Sequence, residues 1–361
     1  MNILILTQKA DKNDPILGFF HRWIIEFSKN FEAVTVICLE KGVCELPVNV
    51  KVLSLGKEKG SSRFQYIRLF YRYIWEERKN YDVVFVHMNP IYLVLGGFIW
   101  KILGKKIGLW YTHKKVDMKL RIAEIFSAEI FTSTKDSFNI KSSKVHLFGH
   151  GIDCDLFQKY NRDEVPFDDK KITLAHVGRI SPVKDCATFL RALSELKNED
   201  KDRKYTGVFY GAPEGNRVDA YFQALDSELG ITDNVAFVGS NTANYELFSR
   251  FQYANEDLKV SHKINFLINA TKTGSFDKVV IEAMASGVIP LTCSASFREY
   301  FGKFADMLIF KEGDHNDLAR KIVAILISGK MVEIEDYLKD VAKEKFDVKV
   351  LIKNIANIYE K

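Results

Sequence analysis

Two cations stand beyond the end of an apolar run in HVGRISPVKD, where Gly178 opens a turn and Arg179 and Lys184 follow, five residues apart. Arginine offers a planar fork of donors and lysine a mobile point charge, and together they can neutralise a diphosphate. With a nucleotide diphosphate as leaving group, that charge is most useful while the bond to it breaks. Further along lies INATKTGSFDKVVIEAMASGVIPLT. Its pattern predicts a strand ending near Asn269, a small polar loop holding Gly274 and Ser275, and a helix from about Asp277 to Ser286. Such a loop can aim backbone N–H groups at an anion, helped by the helix dipole. Glu282 lies inside that helix and can accept two hydrogen bonds from a ribose diol. Plainer readings stand beside these: a solvated Arg/Lys turn, an exposed helical glutamate, and small residues (Ala283, Ala285, Gly287) that serve only close packing.

GRISPVKD followed by GSFDKVVIEAMASGVIPL resembles the donor-binding domain of glycosyltransferase family 4. The resemblance implies that Arg179 and Lys184 match the element gripping the donor diphosphate, and that Glu282 matches the ribose-binding glutamate. Gly178, Gly211, Phe276 and Lys278 complete the expected donor set with Gly274, Ser275 and Asp277. One position departs from the family. The glutamate expected eight residues before Glu282, which contacts the transferred sugar, is here Gly274. F-D-K also stands where F-G-L is frequent. Asp277 either restores the missing acceptor or is a helix N-cap, a position that suits aspartate.

The first half carries weaker signals. NDPILGFFHRW puts Gly18 and Phe19 at the entry of a predicted helix, where the resemblance implies a loop approaching acceptor or phosphate. A plain helix-entry glycine reads equally well. LWYTHKKVD ends a predicted strand close to His113, which the resemblance places beside the sugar. HGIDCDLF resembles the hinge closing the family's first domain. Asp153 and Asp155 form a D-x-D pattern at that hinge. It is set aside as a metal site, because it does not follow a nucleotide-binding strand and a metal would still need an oxygen cage.

Short apolar runs must position these residues. In the first half they are 2–7, 33–39, 50–55, 82–87, 106–111, 128–133 and 144–149; in the second, 171–177, 206–211, 234–239, 264–269, 287–292 and 306–311. Runs of this length suit strands buried on both faces. Helical patterns alternate with them; Ile16, Phe20, Trp23, Ile24 and Phe27 share one helical face. Strand–helix alternation means a parallel sheet, with ligands beyond the strands' carboxyl ends. The expected fold is α/β, two Rossmann-like doubly wound domains facing a central cleft, named GT-B from the resemblance. The expected divisions are an acceptor-side domain over 1–157, a linker over 158–170 and a nucleotide-sugar domain over 171–361. The last helix, about 346–361, is expected to pack back on the first domain.

The length, 361 residues, suits two domains, and 47% hydrophobic with 27% charged residues is a globular balance. The net charge of +5 selects no partner, and the basic residues form no stripe suited to nucleic acid. The five cysteines include no C-x-x-C pair and read as reduced thiols. MNILILT reads as a strand rather than a leader, and IYLVLGGFIW is too short to span a bilayer. The expected location is cytoplasmic. SSRFQYIRLFYRYIWEERKN mixes arginines with aromatics, which suits either peripheral contact with an anionic bilayer or a helix buried on the sheet with arginines at its rim.

The resemblance implies a retaining transferase acting without a metal or cofactor. Its donor is a nucleotide-sugar, UDP- or GDP-linked, and its acceptor a glycan or lipid-linked molecule. The alternatives are another GT-B enzyme, such as a sugar-nucleotide epimerase, and a non-catalytic nucleotide-sugar-binding module. The missing glutamate at Gly274 keeps the last one open. An NAD-dependent dehydrogenase is disfavoured, since no G-x-G-x-x-G follows the first strand.

Overall fold

The computed structural model describes residues 1–14, 16–158, 167–211, 225, 227, 229–230, 234–238, 264–271 and 276–361. The chain divides into two compact units, Met1–Asp153 with Lys345–Lys361, and Cys154–Glu344.

The first unit is a parallel sheet of seven strands: β1 (Ile3–Ala10), β2 (Val34–Lys41), β3 (Val50–Ser54), β4 (Val83–His87), β5 (Lys106–Trp110), β6 (Glu129–Thr132) and β7 (Val145–Leu147). Their order is β3-β2-β1-β4-β5-β6-β7. Both faces of the central strands are buried, which is why ILIL and VVFV read as unbroken apolar runs. Helix α1 (Gly18–Asn30) buries Phe20, Trp23, Ile24 and Phe27 on one face of the sheet. Ile16, expected on that stripe, precedes the helix and is exposed. Helices α2 (Arg63–Glu76), α3 (Ile91–Ile102) and α4 (Met118–Phe126) cover the other face. A capping box starts α2: the Gln65 N–H donates to Ser62 Oγ and the Ser62 N–H to Gln65 Oε1.

The second unit holds β8 (Lys171–Val177), β9 (Lys204–Tyr210), β10 (Val235–Val238), β11 (Ile264–Asn269) and β12 (Ile289–Thr292), parallel and in the order β10-β9-β8-β11-β12. Its described helices are α5 (Cys154–Gln158), α6 (Cys186–Glu199), α7 (Lys278–Ser286), α8 (Arg298–Phe301), α9 (Ala305–Leu308), α10 (His315–Ile327) and α11 (Met331–Phe346). The strand expected over 306–311 is not formed. A tight turn at Gly302–Phe304 runs straight into α9, and Ile309 makes only an isolated bridge to Thr292. Of the linker expected over 158–170, residues 159–166 lie outside the described residues. Residues 154–157, expected in the first domain, belong to the second unit, where the Cys154 thiol meets the Ala342 carbonyl at 3.5 Å.

The chain then returns to the first unit. Helix α12 (Val348–Glu360) is capped by Asp347, whose carboxylate accepts the Lys349 N–H at 2.7 Å. It buries Val348, Leu351, Ile352 and Ile355 in the same core as α1. Tyr359 donates to the Val84 carbonyl at 2.8 Å.

Candidate functional site

In the second unit the chain leaves β8 towards β9 and leaves the neighbouring β11 towards β12, in opposite directions. That reversal opens a crevice at the carboxyl ends, where doubly wound sheets take ligands. Gly178 and Gly211 follow β8 and β9. The Gly178 N–H donates to the Tyr210 carbonyl at 2.9 Å, and both glycines hold positive φ, +136° and +151°. A Cβ on Gly211 would collide with the Gly178 carbonyl. Gly211 thus lets the backbones meet this closely, while Gly178 is favoured by its φ alone.

Arg179 follows, exposed. Pro182–Lys184 forms a short 3-10 turn, and Asp185 takes a left-handed conformation (φ +42°) that L-residues seldom adopt. The Thr188 hydroxyl steadies it by donating to Asp185 Oδ2 at 2.7 Å. Lys184 is thereby turned back over the end of β11. Its ammonium lies 2.7 Å from Asp277 Oδ2 and donates to Thr271 Oγ1 at 3.2 Å. The same Asp277 oxygen accepts the Thr271 hydroxyl at 2.6 Å and the Asn269 amide at 2.7 Å. Thr292, ending β12, donates to Asn269 Oδ1 at 3.0 Å. A chain of polar side chains therefore runs across the ends of β12 and β11 to Lys184.

Asp277 occupies the N-cap position of α7 but makes no side-chain capping bond. Its Oδ2 is directed to Lys184 and the strand ends instead. The ring of Phe276 stacks on Phe297 (centroids 4.3 Å apart, planes 11°) and packs near Tyr300. The Phe276 ring is thereby engaged in packing. Gly274 and Ser275 lie outside the described residues.

Glu282 is 1% exposed, and neither of its carboxylate oxygens has a hydrogen-bond donor among the described residues. Lys278, one turn earlier, lies within ion-pair range at 3.4 Å. Burial raises the Glu282 carboxyl above its ordinary value, and Lys278 only partly opposes this. A buried, unbonded carboxylate is costly, and donors from a ligand such as a diol would relieve it. Beneath Gly178, burial lowers His176 to about 4, with the Lys184 charge adding to the effect. Its ring nitrogen contacts the Cys186 thiol at 3.7 Å. Sequence reading missed Asn269, Thr271, Thr292 and His176; the polar run N-A-T after an apolar strand was the available signal.

In the first unit the chain reverses between β1 and β4. Gly18 begins α1, and a Cβ there would crowd the Lys12 carbonyl. Asp14 already accepts the Ile16 and Leu17 N–H groups at 2.9 and 2.7 Å, and it pairs with Lys9 at 2.9 Å. Those two N–H groups are thus occupied by a carboxylate of the chain itself. Phe19 sets its ring edge-on to Trp23 and His87. His87 ends β4, stacks on Phe20 and is lowered to about 3 by burial. His113 is exposed. Its N–H donates to the Ser137 carbonyl, and its Nδ1 accepts the Lys115 N–H at 3.0 Å. A neutral His113 ring therefore carries its proton on Nε2, where it can donate. Asp153 of the D-x-D pattern lies 2.9 Å from Arg22. Among the described residues no His, Cys, Asp and Glu cluster of metal-binding geometry occurs.

On α2, Phe70 and Ile74 face the sheet, while Phe64 (76% exposed), Ile67, Tyr71 and Trp75 form an outward stripe. Phe98 and Ile102 on α3, and Met118 and Ile125 on α4, are exposed on the same layer. Arg63, Arg68, Arg72, Lys101 and Lys119 are exposed among them. Among the described residues no helix is long and apolar enough to cross a membrane.

Two parallel, doubly wound units with a charged crevice at the strand ends define the GT-B class of folds. The family model for glycosyl transferases group 1 matches residues 157–345, just over half of the chain, which therefore belongs to that family. The chain is 23% identical over 168 residues to a D-inositol 3-phosphate glycosyltransferase of Salinispora arenicola, covering 43% of this chain and 37% of that relative's length. Anabaena HepE, solved in complex with UDP, matches all of both chains with a TM-score of 0.72 at 16% identity. Sucrose-phosphate synthase of Thermosynechococcus elongatus matches 100% of this chain and 98% of its own with a TM-score of 0.73 at 13% identity. At these identities the likeness is one of fold.

Proposed function

We propose that this chain transfers a sugar from a nucleotide-diphosphate sugar to an acceptor hydroxyl, with retention of the anomeric configuration. The observation that carries the reading is the meeting of Gly178–Arg179, Lys184 and the start of α7 at the ends of β8, β9 and β11, within the family-matched unit. In this reading Arg179 and Lys184 stabilise the diphosphate as it leaves, and Glu282 accepts the ribose hydroxyls. His113 orients the sugar through Nε2. The acceptor hydroxyl attacks the anomeric carbon on the face the diphosphate vacates and passes its proton to a departing phosphate oxygen. Gly178, Gly211, Phe276, Asp277 and Lys278 shape the donor site, the last three at the α7 entry, and Gly274 and Ser275 join them by their place in the sequence motif. Gly18 and Phe19 lie on the acceptor side.

HepE is solved with UDP and with UDP-glucose, which favours a uridine donor over a guanosine one. The cations supply the positive charge, so no divalent ion is required. Calorimetric titration with UDP-, GDP- and ADP-glucose tests the donor. One of them is expected to bind, and turnover is expected to survive EDTA. Product NMR is expected to show the donor's anomer retained. Binding of none of the three, activity lost in EDTA and restored by manganese, or an inverted product each overturn the corresponding part. Isomerised donor without transfer would favour the epimerase alternative.

The outward stripe on α2, continued by α3 and α4, supports peripheral contact with an anionic bilayer on its cytoplasmic face, and hence a lipid-linked acceptor over a free glycan. Aromatic and aliphatic side chains would enter the interface while the arginines meet lipid phosphates. Co-sedimentation with vesicles is expected to rise when anionic lipid is added and to fall in Phe64→Ala/Trp75→Ala. Equal sedimentation with zwitterionic and anionic vesicles would remove this contact.

A further inference from the structure

The departure at Gly274 and the network at Lys184 belong together. We propose that Asp277 is a positioning residue for Lys184, holding its ammonium for the donor diphosphate, rather than a substitute sugar contact. The inference rests on the nucleotide-sugar reading above.

Lysine has a long flexible stem, and an ammonium at a strand end has many places to go. Here it is fixed twice, by Asp277 Oδ2 at 2.7 Å and by Thr271 Oγ1 at 3.2 Å. The fixing groups are themselves fixed. Thr271 and Asn269 both donate to the same Asp277 oxygen, and Thr292 donates to Asn269. Both halves of the ion pair are mostly buried, with side-chain exposures of 23% and 15%, so the pair is only partly screened. An ammonium has three donors. Two are committed to the network, and the third is the one to offer a phosphate oxygen.

The arrangement also bears on the sugar. Asp277 Oδ2 already accepts from Lys184, Thr271 and Asn269. A carboxylate so engaged is a poor replacement for the family's sugar-reading glutamate. An aspartate capping α7 through its side chain would satisfy the helix instead, and that bond is not made.

The test is a double-mutant cycle on the full chain, read by calorimetric titration of UDP, GDP and ADP and by the kinetics of whichever nucleotide-sugar binds. Lys184→Ala and Asp277→Ala are each expected to weaken nucleoside diphosphate binding by about tenfold or more, and Lys184→Ala/Asp277→Ala to be no weaker than Lys184→Ala. Asp277→Asn keeps an oxygen acceptor and is expected to recover part of the loss, which loss of folding alone would not do. It also serves if Asp277→Ala does not fold. Effects that multiply in the double variant would overturn the proposal. So would unchanged diphosphate binding in Asp277→Ala with a raised KM for the nucleotide-sugar alone, since the carboxylate would then be reading the sugar. A wild-type chain that binds none of the three diphosphates overturns the nucleotide-sugar reading, and this inference with it. Binding by wild type with a multiplicative cycle overturns the inference only.

Discussion

Glu282 carries a carboxylate into the interior of the second unit with no hydrogen-bond donor among the described residues to receive it. Burial raises its carboxyl above the ordinary 4.5, so the folded chain holds that proton more tightly than the unfolded one. The linked stability is fullest below 4.5 and is lost as pH rises towards the folded value. Glu282→Gln removes the buried charge and is expected to stabilise the unit at neutral pH by about 1–2 kcal/mol. Melting curves between pH 4 and pH 8 should show that gain shrinking as the medium is acidified. Titration with the donor that binds wild type should show weakened affinity. A gain that widens in acid, or undiminished donor binding, would contradict this account. Arg179, Lys184 and Glu282 stood out as candidates because their types and spacing repeat a pattern. The ion pair of Asp277 with Lys184 did not stand out, because N-cap and ion-pair partner differ only in where one carboxylate points. His176 and Thr292 were invisible for a related reason: a polar residue at the end of an apolar run looks like the start of a loop until its neighbours are known.

At the level of elements, the site exists because β8 and β9 end in glycines that touch. Gly211→Ala adds strain at φ +151° and places a Cβ against the Gly178 carbonyl. Gly313 also has positive φ, +72°, but open space around it. Gly313→Ala should therefore show the conformational cost alone, about 1–2 kcal/mol. Gly211→Ala should cost clearly more and weaken nucleotide binding as well, checked by urea unfolding and titration. Equal losses in the two variants would mean the close approach is unimportant. The central strands were legible because a strand covered on both faces must be apolar throughout, as in ILIL, VVFV and ITLA. DMLIFK misled for the same reason. Its Leu308 and Phe310 are buried, yet Met307 and Leu308 belong to a short helix and Ile309 to a single bridge, and burial alone does not distinguish these from a strand. Ile16 fits a helical stripe by spacing but precedes the first residue able to enter the helix, Gly18.

For the whole molecule, the parallel α/β class followed from alternation of patterns and is the class found. Length argued for two domains, but no count of residues says where a chain crosses between them. Here it crosses at Asp153–Cys154 and again at Glu344–Lys345. The first unit is thus assembled from both ends of the sequence, and its core needs Val348, Leu351, Ile352 and Tyr359 to cover Phe27, Phe31 and Phe131. During synthesis the seven strands of that unit emerge from the ribosome before the second unit, yet the helix that seals one face of their sheet emerges after it. The uninterrupted second unit can close while the earlier one still waits with part of its core uncovered. Of the two units, the one whose synthesis begins earlier is therefore the one whose core is completed later, and in the interval it is the one more in need of protection from aggregation.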